Sequence, residues 1–154
     1  MKTLAQYELL AKQASSLIQG ETDLIANLAN ISALLNMNLD NINWVGFYLL
    51  KDDQLILGPF QGNVACVRIA LGKGVCGTAF STNTIQRIAD VHQFEGHIAC
   101  DAASQSEIVL PINVHGKTIG VLDIDSPITD RFNEIDEQGL ALFVHHLEQQ
   151  LNAN

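Results

Sequence analysis

Basic residues are scarce in this chain: 8 lysines and arginines face 17 aspartates and glutamates over 154 residues, a formal net charge of −9. That shortage argues against nucleic acid, whose binding depends on neutralising phosphates with Lys and Arg. It leaves small cationic or zwitterionic ligands open. Long hydrophobic runs are missing too. Apolar stretches such as Ile108 to Ile112 fall far short of the roughly 20 residues of a membrane span, so no membrane is expected. The opening MKTLAQYELLAKQ puts Glu8 where an export signal would carry its apolar core, and the expectation is a cytoplasmic protein. Cysteines number 3, an odd set: Cys66, Cys76 and Cys100. Without an export signal, they argue against a structural disulfide framework and for reversible thiol chemistry. No Cys-x-x-Cys pair occurs and the cysteine spacings are irregular, so His92, His97 and His115 are not expected to join them around zinc.

What is present describes a globular chain, 47% hydrophobic and 16% charged, of a length that forms one domain over residues 1–154. Lys2 to Ile18 carries Leu4, Tyr7, Leu10, Ala14, Leu17 and Ile18 at helical spacing. Gly20 ends that helix, and Thr22 or Asp23 caps a second one reaching about Met37. Asn43 to Leu50, Leu55 to Pro59, Val67 to Leu71, Thr84 to Ala89, Glu107 to Val114 and Thr118 to Asp125 read as strands, with a short helix around Thr78 to Thr82. Asn133 caps a closing helix to about Gln150 whose inward residues are Ile135, Leu142, Phe143, Leu147 and Leu151. This order predicts an α+β domain, an antiparallel sheet covered on one face by terminal helices. The same amphipathic helices would also suit a homodimer interface.

Several groups of residues point to chemistry. GHIACDAASQSEIVLP, Gly96 to Pro111, sets Cys100 among small residues with polar His97, Asp101, Ser104 and Ser106 around it. Such a loop reaches solvent or lines a cleft, as a nucleophilic thiol requires. Asp123 and Asp125 stand two apart in an apolar strand and so share a face, where like charges are costly without a cation or a shared proton. Asp125 also suits a solvated strand end, whereas Asp123 lies between Leu122 and Ile124. Glu107 opens the pairing strand, so three carboxylates converge on one patch, fit for an ammonium group or for a protonated general acid. Trp44 and Tyr48 share a strand face with Gly46 leaving room between them, either as core or as the aromatic wall of a small-ligand site. Gly72-Lys73-Gly74-Val75-Cys76-Gly77 has the form G-x-G-x-x-G, but its mid-chain place among antiparallel strands reads as a tight strand-to-helix turn, not a dinucleotide site.

With those residues in view, the chain resembles the GAF-domain free methionine-(R)-sulfoxide reductases. The matching segments are NWVGFYLL, LGPFQG, ACVRIALGKGVCGTAF, GHIACDAASQSEIVLPI, GVLDIDSP and the RF before the last helix, together covering essentially the whole chain. The resemblance implies a single GAF domain with loops and a short helix forming a ligand pocket on the face opposite the terminal helices. It implies Cys100 as nucleophile, Cys66 as resolving cysteine and Cys76 as an accessory thiol. Trp44 and Tyr48 would line the pocket, and Glu107, Asp123 and Asp125 would share the substrate ammonium and the sulfoxide oxygen. The implied reaction turns free methionine sulfoxide into methionine through a sulfenic acid and an intramolecular disulfide. Thioredoxin is its implied reductant, with no metal or organic cofactor needed. The competing reading is a GAF sensor module without turnover, against which a chain lacking an output domain counts. A peroxide-reducing thiol enzyme is a third. The acidic patch should raise thiol pKa values, so a thiolate is expected to form only as substrate brings its own ammonium.

Overall fold

The computed structural model describes residues 1–98, 100 and 102–154. Two helices come first, α1 (Leu4–Ile18) and α2 (Leu24–Asn38). Thr3 and Gln6 form a capping box on α1, and the Asp23 carboxylate accepts from the Ala26 amide at the start of α2. Strands β1 (Trp44–Lys51), β2 (Gln54–Gly62) and β3 (Arg68–Ala70) follow. After them come α3 (Gly74–Thr82), β4 (Gln86–Ile88) and a 3-10 turn at Val91–Gln93. The chain closes with β5 (Ser106–Val114), β6 (Lys117–Ser126) and α4 (Glu134–Ala153). No described helix is long and apolar enough to cross a membrane.

The six strands make one antiparallel sheet in the order β3-β2-β1-β6-β5-β4. Its two hairpins close through left-handed pairs, Asp52-Asp53 and His115-Gly116, the backbone that matches strand twist in a two-residue turn. The α+β architecture read from the sequence is the one observed. Helices α1, α2 and α4 cover one face over a core that includes Tyr7, Leu28, Ile31, Phe47, Leu122 and Phe143. The other face carries α3 and a second cluster around Trp44, Tyr48, Ile69, Cys76, Val109 and Val121.

Two helix faces differ from the sequence reading. In α1, Leu4 and Leu17 are exposed while Ala11 is buried. In α4, Phe143 and Leu147 point inward as expected, but Ile135 is exposed and Leu142 only half-buried, while Leu140 and Val144 are buried in addition. The cause is Asp136. Its carboxylate accepts from the Tyr7 hydroxyl at 2.6 Å and from the Arg131 guanidinium at 3.2 Å. That buried polar contact fixes the rotation of the helix, and a Cβ at Gly139 would overlap the Tyr7 ring. The short helix also starts four residues earlier than expected, at Gly74. Gly72 and Gly74 both take positive φ (77° and 62°), and Gly72 donates its amide to the Gly77 carbonyl at 3.0 Å. The glycine motif is therefore a tight turn from β3 into α3.

Candidate active site

Strand register assembles the acidic patch. Glu107 on β5 pairs with Asp125 on β6, which pairs in turn with Trp44 on β1. One row along, Val109 pairs with Asp123, and Asp123 with Gly46. Since alternate strand residues share a face, Glu107, Asp123, Asp125, Trp44 and Tyr48 all project to the side opposite α1 and α4. Glu107 and Asp123 are only 7% and 6% exposed. The Asp125 carboxylate is not at a solvated strand end. Its Oδ1 is buried, and its Oδ2 accepts from the Ser104 hydroxyl at 3.1 Å. Ser104 in turn accepts from the Asn43 side-chain amide at 3.2 Å.

The aromatic wall is a column of three rings. Trp44 stacks on Tyr48 at 5.8 Å and on Phe60 at 5.1 Å between ring centres. Gly46 serves this column differently from the expectation. A Cβ there would collide with the Phe60 side chain, so the space is filled by Phe60 and is not part of the pocket. Both polar tips are anchored: the Trp44 indole donates to the Asn63 carbonyl at 3.2 Å and the Tyr48 hydroxyl to the Cys66 carbonyl at 2.8 Å.

Loops close the site. Cys66, just before β3, and Cys100, in the loop leading to β5, are joined by a disulfide with Cα atoms 5.4 Å apart. Both are half-buried, whereas Cys76 is a free, buried thiol in the first turn of α3. A pocket of about 40 Å³ lies beneath the bridge, lined by Trp44, Tyr48, Cys76, Cys100, Glu107, Asp123 and Asp125 together with Ile69, Lys73, Val75, His97, Ile98 and Ser104.

Burial, and then the charges of Asp123 and Asp125, push the Glu107 carboxyl well above the usual carboxylate range. Asp125 is pushed the same way by burial and by Asp123, with hydrogen bonds from Glu107 and Ser104 opposing the rise. Such a cluster holds protons near neutrality. Burial and the same carboxylates raise the Cys76 thiol, so it stays neutral. The Tyr48 phenol is raised chiefly by burial and remains a donor. His97 Nε2 stands 3.9 Å from a Glu107 oxygen, and burial lowers its pKa, so the pair is a contact between largely neutral groups.

Seven of the eight candidate residues thus face one cavity, and the eighth, Cys66, is tied to it through Cys100. Of the polar residues noted beside Cys100, His97 and Ser104 join the pocket. Ser106 does not: it is fully buried and donates to the Ile128 carbonyl at 2.6 Å, a structural tie. Asp101 lies outside the described residues. Lys73 and Phe60 carried no signal of their own in the sequence, Lys73 being submerged in the glycine motif and Phe60 in a strand. His92 pairs with Asp90 and His115 sits in a hairpin turn, and neither lines the pocket. Among the described residues, the donors close enough to share an ion are Cys76, Glu107 and Asp123, within 4.8 Å of one another.

Comparison with known proteins agrees with this geometry. The GAF domain family model matches residues 14–151. The free methionine-R-sulfoxide reductase of Escherichia coli is 60% identical over 145 residues, spanning 94% of this chain and 88% of that protein. The fRMsr of Staphylococcus aureus, solved in complex with substrate, superposes with a TM-score of 0.91 at 62% identity, covering 98% of this chain and 97% of that one. The free methionine-R-sulfoxide reductase of Neisseria meningitidis, also solved with its substrate, gives a TM-score of 0.91 at 42% identity over 97% of this chain and 90% of its own. The chain is a GAF domain and belongs to the free methionine-R-sulfoxide reductase family.

Proposed function

We propose that this oxidoreductase converts free L-methionine (R)-sulfoxide to methionine with Cys100 as nucleophile. The observation that carries the reading is the Cys66–Cys100 bridge standing directly over an acidic, aromatic-walled pocket. A free amino acid is a zwitterion, and the pocket has a side for each charge. The carboxylate cluster receives the ammonium. Lys73 and the first turn of α3, whose amides have no helical acceptor, suit the carboxylate. Trp44 and Tyr48 offer an apolar surface to the sulfoxide methyl.

In the first step the Cys100 thiolate attacks the sulfoxide sulfur while protonated Glu107 gives its proton to the sulfoxide oxygen. The sulfoxide sulfur gains two electrons and leaves as the thioether of methionine. The bond between the Cys100 sulfur and the substrate sulfur then breaks as the hydroxyl passes to Cys100, whose sulfur loses two electrons and becomes a sulfenic acid. Cys66 then attacks that sulfur, the hydroxyl departs as water with the Cys66 proton, and the disulfide forms. An external dithiol of the thioredoxin class reduces the half-buried bridge by exchange, which fits the cytoplasmic location expected from the sequence. The carboxylates disfavour a resting thiolate at Cys100, and the arriving ammonium offsets that field.

The test is to incubate the reduced protein with each epimer of free L-methionine sulfoxide and a thioredoxin system, following reductant consumption. Turnover of the R epimer that disappears in Cys100→Ser is expected. Stoichiometric binding without turnover would establish the sensor reading instead, and full activity of Cys100→Ser would remove the nucleophile.

A further inference from the structure

We propose that the pocket floor is also a site for one thiophilic divalent cation of the zinc class, held by Cys76, Glu107 and Asp123, where it competes with the substrate ammonium. The competition rests on the proposed function; the donor set does not. The three residues come from α3, β5 and β6, and all are buried, with one donor atom from each inside a 4.8 Å span. Bonds of about 2.3 Å to sulfur and about 2.0–2.2 Å to oxygen close that span after small side-chain adjustments.

A second observation points to a ligand independently of the clustering. Asp123 Oδ1 is buried and meets no backbone, amide or hydroxyl donor, in a residue only 6% exposed whose pocket neighbours are two further carboxyls and the Cys76 thiol, so only a retained proton or an incoming cation can meet it. A buried acceptor left in that condition costs free energy until a donor or a cation meets it. Cys76 is likewise left over by the redox cycle, being a free thiol outside the Cys66–Cys100 bridge.

The donors also select the metal. Calcium and magnesium favour oxygen alone, whereas a thiolate with two carboxylates suits zinc or cadmium. Three protein ligands leave a fourth position for water or for His97, whose Nε2 lies 3.9 Å from Glu107. Binding moves no electrons. The Cys76 proton, and the proton that Glu107 holds, pass to solvent as the metal–ligand bonds form. The 40 Å³ cavity takes an ion with a water while the disulfide is intact.

The experiment uses the disulfide form, in which Cys76 is the single thiol. Cadmium is titrated in until equilibrium, and the sulfur-to-cadmium charge-transfer absorption is read alongside calorimetry. One Cd²⁺ per chain is expected, with the band saturating at that ratio. Asp123→Asn should weaken it at least tenfold, and calcium should not displace it. In Cys76→Ser, calorimetric binding should fall at least a hundredfold. No band, or unchanged calorimetric affinity in Cys76→Ser, would overturn the site. Competition is read in Cys66→Ser/Cys100→Ser, where Cys76 is again the single thiol and no bridge spans the pocket. Free methionine should raise the apparent cadmium Kd there, and indifference to methionine would overturn the competition. None of these readings depends on reductase activity, which is assayed separately on metal-free protein.

Discussion

The two faces of the sheet are built from the same strands and have opposite chemistry. Along β6, Leu122 and Ile124 enter the core beneath the helices, while Val121 joins the second cluster on the opposite face and Asp123 and Asp125 line the pocket there. Along β5, Ile108, Leu110 and Ile112 go one way and Glu107 and Val109 the other. On the helix side the buried carboxylate of Asp136 is fully met by Tyr7, Arg131 and the Asn133 amide. On the pocket side Asp123 and Asp125 each keep a buried oxygen without a hydrogen-bond partner. The first face is satisfied within the fold. The second is stable only at the cost of retained protons or an incoming cation, as expected of a binding site.

The contrast is broken most severely at Cys100. Cys100→Ser should abolish sulfoxide reduction in the thioredoxin-coupled assay while leaving the thermal midpoint of the reduced protein nearly unchanged. A retained rate would place the chemistry elsewhere.

Glu107→Gln should lower kcat by about 10²–10⁴, the range for loss of a positioned general acid. It should also do what no helix-face substitution does, which is to stabilise the fold as pH rises. A carboxyl whose folded pKa lies above its ordinary 4.5 contributes stability below that value and loses it as pH climbs through the raised one. The Gln variant avoids that loss. Its melting temperature should therefore match wild type near about pH 4 and exceed it increasingly towards about pH 8, measured by calorimetry across the series.

On the other face, Phe143→Ala removes a fully buried ring and should cost about 3–5 kcal/mol. At roughly 2–4 °C per kcal/mol, the melting temperature should fall by roughly 6–20 °C, with kcat/KM per folded molecule unchanged at low temperature. A matching loss of activity would show that the faces are not separable.

The smallest effect is expected at Ser104, which acts through Asp125 as a positioning residue. Ser104→Ala removes the hydroxyl that helps keep that carboxylate charged. KM should rise about tenfold, or about 1.4 kcal/mol, near the low end for hydrogen bonds to charged groups, with little change in kcat. The defect should shrink as pH rises and Asp125 ionises regardless. Ser104→Thr should restore KM.

Most of the pocket face was legible in the sequence because its signals are local. Two carboxylates two apart in an apolar strand must share a face, and the short hairpin at His115-Gly116 brings Glu107 opposite them. The cysteine roles came from resemblance, not from spacing, and the Cys66–Cys100 bridge agrees with the pairing it implied. What was not legible depends on contacts between distant segments. The rotation of α4 follows from Tyr7 reaching Asp136 across 129 residues, which no hydrophobic period encodes. Ser104 and Ser106 look alike in sequence, yet one meets Asp125 and the other ties down the segment at Ile128. Gly46 likewise gave no sign that Phe60, from the next strand, fills the space beside it.

The central claim is that the pocket beneath the bridge is where a sulfoxide oxidises Cys100 and Cys66 captures it. The direct measurement is a single turnover: fully reduced protein, one equivalent of free L-methionine (R)-sulfoxide, no reductant, then acid quench and peptide mass mapping with methionine quantified. One methionine per disulfide formed, with the bridge joining Cys66 to Cys100 and Cys76 still free, is the expected result. Methionine without a Cys66–Cys100 bridge, or a bridge without methionine, would contradict it.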